Sequence, residues 1–469
     1  MPLFNECRKP KVVYLGLSLE LYRAGGGPAP AEWEGYFREW SSVLAERAEI
    51  VASGCCYLES EVRAVMEKGR LAGAEAAVVS ALSYTASLTS VPALSEYEWP
   101  VIVWNTQQMR EIAADYTPAD LLRNHTVQGV QDVANLLFRR RMKFIVVSGW
   151  FREPAVLERL DAAMTAARAL RPVRTLSLGG RFFGMGDFEF HPSDILAWHA
   201  SFDDLPMEEY RTACQEVPAD ELNAQTAADF ADFEIEPGLS RELHRESLRP
   251  YLALKKLLAR HRSDAFTMNF SSSDFRGKFL PLHAVNRLMA DGLGYAGEGD
   301  SLRAVWMARL IRMAGSANFT EIYTVDFVRN RFFMTHMQEC NPLWARRDRK
   351  IRLKNQPFWT AGFGPYTGMY FTLEPGPVTL TGVTPDADGK LRYIIFTGEI
   401  EDVPPLPDYD RAHWFCRVNS SAAALLDRYS EAGGPHHLIA VRGDLRNELK
   451  LLARFDGAEY LDITEERKC

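Results

Sequence analysis

The 469-residue sequence lacks several features that would place it in a specialised class of protein. Its seven cysteines form no CxxC pair and no repeated spacing, which argues against a disulfide framework and favours a reducing cytoplasm. Acidic residues outnumber basic ones by 62 to 54, so no basic surface typical of nucleic-acid binding is expected. No apolar run approaches the roughly 20 residues of a membrane span, and the N-terminal segment lacks the layout of a signal peptide. We therefore expect a cytoplasmic protein without a nucleic-acid or membrane partner.

Short apolar runs alternate with amphipathic helical segments over the first 180 residues, a pattern that predicts a parallel α/β sheet. A charged, mainly helical stretch follows, and β-rich runs separated by turns dominate after residue 316, with a hairpin signal at "DADGK" (386–390). The predicted fold is two Rossmann-like α/β domains with parallel sheets, residues 1–177 and 178–316, followed by an antiparallel β-rich domain, residues 317–469.

Metal-ligating side chains fall at predicted strand ends and glycine-rich turns of the last 180 residues. Glu298 stands between two glycines in "GYAGEGD", Glu321 and His336 bracket a predicted hairpin, and the pair His436-His437 follows a Gly-Gly-Pro break. A mixed set of carboxylates and imidazoles suits a borderline divalent ion such as Mn²⁺, Co²⁺ or Fe²⁺. No HExxH or CxxC spacing supports this set, so solvated turn and strand positions remain an alternative for each residue. Asp300 is interpreted as the N-cap of a helix that begins at Ser301.

Seven segments of the sequence carry a family resemblance. In order along the chain they are "SLELYR" (18–23), "WNTQQ" (104–108), "NHTVQG" (124–129), "LPLHAVNRLMADGLGYAGEGD" (280–300), "NFTEIYT" (318–324), "FMTHMQECNP" (333–342) and "AGGPHHL" (432–438). The last four resemble, in the same order, the signature segments of the L-arabinose isomerase family, and the first three resemble its N-terminal sugar-site segments. "GGRFFGMGDF" (179–188) also resembles the wider group that includes L-fucose isomerase.

The resemblance implies a metal-dependent aldose–ketose isomerase whose metal ligands are Glu298, Glu321, His336 and His437. It implies Mn²⁺ as the metal, with Co²⁺ or Fe²⁺ as alternatives, and Glu298 and Glu321 as the catalytic proton-transfer pair. Proton transfer through a cis-enediol fits these residues, while a hydride shift stays open. A homo-oligomer, a hexamer or tetramer, with active sites shared between subunits is expected from the same likeness.

The resemblance also implies contacts with a monosaccharide. The candidate substrate-binding residues are Tyr22, Gln107, His125, Gln128, Met185 and His436. Ordinary packing is the alternative for Tyr22, Gln107 and Met185, and an exposed stripe of a helix predicted over 121–141 is the alternative for His125 and Gln128. Phe182 and Phe183 are interpreted as core or pocket wall.

The sequence departs from the family at the sugar site. Leu19 and Glu20 stand where the family carries Gln and His, and the residue types of His125 and Gln128 are exchanged relative to the family. A site built to bond particular hydroxyls discriminates strongly against other sugars, so the substrate is expected to be a pentose, hexose or deoxy or modified sugar that differs from L-arabinose. Two rival functions are a sugar epimerase at the same metal site and a sugar-binding protein that lacks catalysis.

Overall fold

The computed structural model describes residues 8–26, 30–272, 275, 281–358 and 362–465, which form two compact units. Of the described residues, the first unit contains 8–171 together with Asn447–Asp456, and the second contains those within Pro172–Arg446 and 457–465. Among the residues described, no helix is long and apolar enough to cross a membrane. The three-domain boundaries at residues 177 and 316 stay a prediction.

The first unit is a five-stranded parallel sheet with helices, numbered here with all other elements in chain order. Its strands are β1 (Lys11–Leu17), β2 (Glu49–Cys56), β3 (Ala76–Ala81), β4 (Val101–Asn105) and β5 (Phe144–Ser148). Its helices are α1 (Pro30–Ala45), α2 (Glu59–Leu71), α3 (Val91–Leu94), α4 (Pro118–Arg123), α5 (Val127–Arg139), α6 (Pro154–Arg168) and α13 (Arg446–Asp456). The strand order is β2-β1-β3-β4-β5, with every pair parallel. All six residues of β3 are buried, as expected for a strand covered on both faces.

The predicted continuous helix over 121–141 is wrong, because α4 ends at Arg123 and α5 begins at Val127. Asn124 interrupts the helix: its side-chain oxygen accepts from the backbone N–H of Met109 at 3.0 Å. Thr126 is buried, and its hydroxyl donates to the carbonyl of Thr106 at 3.3 Å. These tertiary hydrogen bonds hold the chain out of helical geometry at 124–126.

The second unit contains a four-stranded parallel sheet of order β10-β9-β6-β7. Its strands are β6 (Val173–Leu178), β7 (Ala200–Asp204), β9 (Ala265–Met268) and β10 (Gly294–Gly297). The associated helices are α7 (Met207–Gln215), α8 (Ala219–Asp232), α9 (Arg241–Arg260), α10 (Leu282–Ala290) and α11 (Ser301–Ala314). A small sheet of β8 (Glu234–Ile235), β13 (Arg352–Gln356) and β14 (Tyr366–Tyr370) accompanies it.

The C-terminal part of the second unit is a seven-stranded, mainly antiparallel sheet that closes on itself. Its strands are β11 (Asn318–Asp326), β12 (Arg331–Thr335), β15 (Gly376–Pro385), β16 (Leu391–Ile400), β17 (Trp414–Arg417), β18 (His437–Arg442) and β19 (Glu459–Asp462), with helix α12 (Ala422–Glu431). The order is β15-β18-β11-β12-β17-β16-β19, and an additional β15–β16 pairing makes it barrel-like. The hairpin predicted at 386–390 joins β15 to β16, with Gly389 at φ +76°. The predicted fold class, parallel α/β sheets followed by an antiparallel β domain, is confirmed.

Candidate metal centre

Glu298 directly follows β10, at the carboxyl end of a parallel strand, where ligands bind in open α/β sheets. Its φ of +63° is unusual for a residue with a side chain, and such conformations cluster at functional sites. Gly299 has a φ of +86°, and a Cβ there would lie 2.3 Å from the carbonyl oxygen of Gly180. A Cβ at Gly297 would lie 3.2 Å from the His336 ring. The flanking glycines therefore let backbone and imidazole approach Glu298 from both sides.

Glu321, His336 and His437 are brought together by sheet register. Glu321 lies on β11 and pairs directly with His437, the first residue of β18. On its other side Glu321 pairs with Thr335 at the end of β12, and His336 is the next residue. Three adjacent strands thus place one carboxylate between two imidazoles.

Each of the three histidines is held through Nδ1 by a carboxylate. His336 Nδ1 lies 2.7 Å from Glu339 Oε2, and His437 Nδ1 lies 2.9 Å from Asp300 Oδ2. His436 Nδ1 lies 2.6 Å from Asp187 Oδ2. A carboxylate bonded to Nδ1 fixes the orientation of the ring and leaves Nε2 on the opposite side. Metal-binding histidines usually have such a hydrogen-bond partner on the ring nitrogen that does not bind the metal.

The three Nε2 atoms converge on the two glutamates. Glu321 Oε1 lies 3.4 Å from Nε2 of His336, 3.6 Å from that of His437 and 3.7 Å from that of His436. Glu298 Oε2 lies 3.9 Å from His436 Nε2. Two overlapping groups with donor atoms within 4.8 Å of one another share His437: Glu298, His436 and His437, and Glu321, His336 and His437.

Two polar atoms of this cluster are buried without a hydrogen-bond partner, Glu298 Oε2 and His437 Nε2. An unpaired carboxylate oxygen and an unpaired ring nitrogen beside each other are costly to bury unless a further group binds both. The donors are carboxylate oxygens and imidazole nitrogens, with no thiolate, a set that fits a borderline divalent cation. The residues present therefore fit a metal ion.

The charges around the cluster favour a cation as well. Burial opposes the charged form of His336, but Glu339 and Glu321 outweigh it and hold the pKa of this imidazole well above its usual range. Burial also opposes ionisation of Glu321, yet His336 and its neighbours keep the pKa of that carboxyl below its ordinary value. Burial lowers the pKa of His437, despite its bond to Asp300. In the metal-free protein His437 is therefore a neutral imidazole among acidic side chains, and a metal ion bound at His336 Nε2 would displace a proton from that ring.

Sequence reasoning missed three residues of this cluster: Asp187, Asp300 and Glu339. Glu339 stands three residues after His336, a short spacing that could have indicated the pair. Asp300 caps α11 as predicted, since its Oδ1 accepts from the Arg303 backbone N–H at 3.1 Å. Its second oxygen binds a ring 137 residues away, which no local pattern indicates.

The candidate sugar contacts of the first unit are only partly brought together. Gln107, His125 and Gln128 line one cavity of about 240 Å³, and the His125 ring stacks on Tyr84 with centroids 5.2 Å apart. Tyr22 is not among the residues lining this cavity and packs on Trp33, with centroids 5.5 Å apart. Their role as sugar contacts stays a prediction.

The segment 179–188 contributes to the centre through residues other than the one predicted. Met185 is half-buried and precedes a short turn that carries Asp187 and Phe188. Phe188 is buried and stacks on His437, with centroids 4.8 Å apart. Phe183, interpreted from the sequence as core or pocket wall, is 97% exposed, so that interpretation is wrong: its side chain extends from a glycine-rich turn into solvent.

Known proteins share both the central and the C-terminal part of this chain. Residues 196–317 match the family model "L-arabinose isomerase central domain", and residues 316–459 match "L-arabinose isomerase C-terminal domain". The chain belongs to the L-arabinose isomerase family.

Curated relatives extend the match over most of the chain. An L-arabinose isomerase of Serratia proteamaculans is 24% identical over 393 residues, 80% of this chain and 78% of the relative. One from Yersinia enterocolitica is 25% identical over 391 residues, 80% and 77% of the two chains. L-arabinose isomerase 1 of Bacillus licheniformis is 27% identical over 361 residues, 74% and 72% of the two. A solved periplasmic solute binding protein of Actinobacillus succinogenes with bound D-allose covers 65% of this chain and 92% of its own at 12% identity, but a TM-score of 0.17 supports no comparison of folds.

Proposed function

We propose that this protein is a metal-dependent aldose–ketose isomerase. The observation that carries the proposal is the meeting of two carboxylate–imidazole groups at His437, one formed with Glu298 and His436 and the other with Glu321 and His336. Glu298 Oε2 and His437 Nε2 are buried without a hydrogen-bond partner. Membership of the L-arabinose isomerase family supports the reaction class, since the relatives are named for an isomerase.

The proposed metal ligands are the carboxylates of Glu298 and Glu321 and Nε2 of His336 and His437. The mixed oxygen and nitrogen donors favour Mn²⁺, with Co²⁺ and Fe²⁺ as alternatives. When bound, such an ion polarises a sugar carbonyl and lowers the pKa of the neighbouring hydroxyl. Glu339 and Asp300 act as positioning residues, because they fix the rings of His336 and His437.

Glu298 and Glu321 are the groups placed to move protons. Conversion of an aldose to a ketose transfers one proton between C1 and C2 and another between O1 and O2, through a cis-enediol. A positioned carboxylate contributes typically about 10²- to 10⁴-fold to such a transfer. Both carboxylates lie near His436 Nε2, Glu298 at 3.9 Å and Glu321 at 3.7 Å, so we assign the proton transfers to the two residues together.

His436 is proposed to bind the substrate rather than the metal. Burial opposes its charged form, but the hydrogen bond to Asp187 and the nearby carboxylates of Glu298 and Glu321 raise its pKa to about 9. The imidazolium can donate a hydrogen bond from Nε2 to a sugar oxygen beside Glu298 or Glu321. Its partner Asp187 keeps the ring oriented.

The sugar is proposed to differ from L-arabinose. Glu20, at a position where the family carries a different polar residue, forms an ion pair with Arg23 at 2.6 Å, and Arg23 also binds Glu61 at 2.6 Å. The exchanged residues His125 and Gln128 both line the cavity of the first unit, so its donors and acceptors are arranged differently from the family pattern. Loss of a single expected hydrogen bond can change sugar preference by orders of magnitude.

The resemblance noted from the sequence also supports a cytoplasmic homo-oligomer, a hexamer or tetramer, in which Tyr22, Gln107, His125, Gln128 and Met185 contact the sugar together with His436. Mass measurement in solution tests the assembly. A monomer that turns over sugar would contradict shared active sites.

The function is tested by measuring ketose formation across aldopentoses, aldohexoses and 6-deoxy sugars, with Mn²⁺ added and with the metal chelated. We expect metal-dependent conversion of one class of sugar, abolished in Glu298→Gln, which keeps the size of the side chain and removes its charge. Epimer formation without a ketose would indicate a sugar epimerase instead. Sugar binding without any conversion would indicate a binding protein that lacks catalysis.

A further inference from the structure

A second group of metal-ligating side chains lies among helices α8, α9 and α10 and shares no residue with the centre described above. Asp229, His244 and His283 come from these three helices, one from each. They are 2%, 0% and 1% exposed, respectively. One donor atom from each lies within 4.8 Å of the other two. Three ionisable side chains buried this completely need partners for every polar atom.

Asp229 and His244 are held in fixed orientations. His244 Nδ1 lies 3.2 Å from the hydroxyl of Thr367, and His244 Nε2 lies 3.0 Å from Asp229 Oδ2. Arg287 and Gln225 donate to the other oxygen of Asp229, at 2.8 and 2.9 Å. The carboxylate is thereby fixed with Oδ2 facing His244, and the ring is held by a hydroxyl on its far nitrogen, as is common for metal-binding histidines.

His283 is the member of the group that hydrogen bonds leave unexplained. Both of its ring nitrogens are buried and neither has a hydrogen-bond partner. Its ring stands perpendicular to that of His244, with centroids 5.3 Å apart. Burial, reinforced by His244 and Arg287, outweighs Asp229 and the Thr367 backbone and lowers the pKa of His283 well below its ordinary value, so the ring is neutral. A neutral imidazole is the form that binds metal.

We propose that Asp229, His244 and His283 bind a zinc-class divalent cation that cross-links the three helices. Zinc bonds to nitrogen and oxygen are about 2.0–2.2 Å long, so two ligand atoms of a tetrahedral zinc site lie slightly more than 3 Å apart. The distance of 3.0 Å between His244 Nε2 and Asp229 Oδ2 is close to that separation. Two imidazoles and one carboxylate favour zinc over Mn²⁺. Arg287 binds Oδ1 of Asp229 and leaves Oδ2, the oxygen that faces His244, as the ligand atom. The inference is independent of the proposed isomerase activity.

The test counts zinc in the full-length protein, with the first centre disabled so that only the second can contribute. Chelator-treated protein is loaded with Zn²⁺, desalted, and analysed for zinc per chain by mass spectrometry. We expect two zinc ions in the wild type, one in a Glu298→Gln, His437→Gln variant, and none when His283→Leu is added. His191→Leu, which removes an exposed histidine of the same unit, should leave the count of one unchanged.

Thermal unfolding supplies a second readout that does not require complete loading. Zinc should raise the unfolding temperature of the Glu298→Gln, His437→Gln variant, and His283→Leu should abolish this rise. His283→Asn serves where the leucine variant does not fold. The proposal is overturned if the Glu298→Gln, His437→Gln variant binds no zinc. It is also overturned if the zinc count and the zinc-dependent rise survive replacement of His283. In either case Asp229, His244 and Thr367 form a hydrogen-bonded network without metal.

Discussion

Replacement of Gly299 by alanine tests why a glycine follows Glu298. The backbone φ of +86° strains any residue with a side chain, at about 1–2 kcal/mol. The new Cβ would also lie 2.3 Å from the carbonyl oxygen of Gly180 and 2.6 Å from Cα of Arg181. Relief of that contact requires a shift of roughly 1 Å, since non-bonded heavy atoms prefer about 3.5 Å or more. Overpacking of this kind costs about 1–3 kcal/mol further.

Gly292 offers a matched control, because it lies just before β10 with a φ of +93° and nothing within 4 Å of an added Cβ. Gly292→Ala should lose only the conformational part of the free energy of unfolding. Gly299→Ala should lose more, and the displaced Glu298 should reduce turnover on the order of 10²-fold. Chemical denaturation and initial rates measure the two effects. Equal losses of stability in the two variants, or full activity in Gly299→Ala, would refute the reasoning.

Three further predictions concern the charges around the centre. Glu339→Gln should weaken Mn²⁺ binding by about 10- to 100-fold in a titration, because it removes the charge that orients His336; unchanged affinity would contradict a positioning role. Asp187→Asn should lower the pKa of His436 from about 9, as followed by NMR in metal-free protein. Because folding raises the pKa of His436, the Asp187–His436 pair contributes fully to the free energy of unfolding below pH 6.5, the ordinary pKa of histidine. This contribution is lost as pH rises through about 9, and Asp187→Asn should abolish that pH dependence. Finally, Mn²⁺ at about 100 times its dissociation constant should raise the free energy of unfolding by about 2.7 kcal/mol, and Glu298→Gln should reduce that gain at the same metal concentration.

The fold could be predicted where local pattern decides structure. Mostly apolar, fully buried runs such as β3 occur in a parallel sheet because helices cover both faces, and the hairpin at 386–390 follows from its Gly389. The break at 124–126 could not be predicted, because it depends on bonds from Asn124 and Thr126 to distant backbone. Closure of the antiparallel sheet could not be predicted either, because it depends on pairing between strands far apart in sequence, such as β15 with β18 and β12 with β17.

Residue types at strand ends and in a glycine-rich turn gave a weak signal, and the family resemblance implied the ligand set, which stays a prediction; in the structure, donor atoms of Glu321, His336 and His437 lie within 4.8 Å of one another. Glu321 and His437 meet because two strands far apart in sequence pair in register. The carboxylates that orient the histidines were not predicted, since the Asp187–His436 contact spans 249 residues. Such contacts arise from tertiary packing alone, so they leave no periodicity or spacing in the sequence.

Anomalous diffraction from Mn²⁺-loaded crystals, recorded on both sides of the manganese absorption edge, would locate the bound ion. We expect a manganese peak within bonding distance of Glu298, Glu321 and the Nε2 atoms of His336 and His437, absent after treatment with chelator. A peak elsewhere, or none at these four residues under saturating Mn²⁺, would contradict the proposal that they form the metal centre of an isomerase.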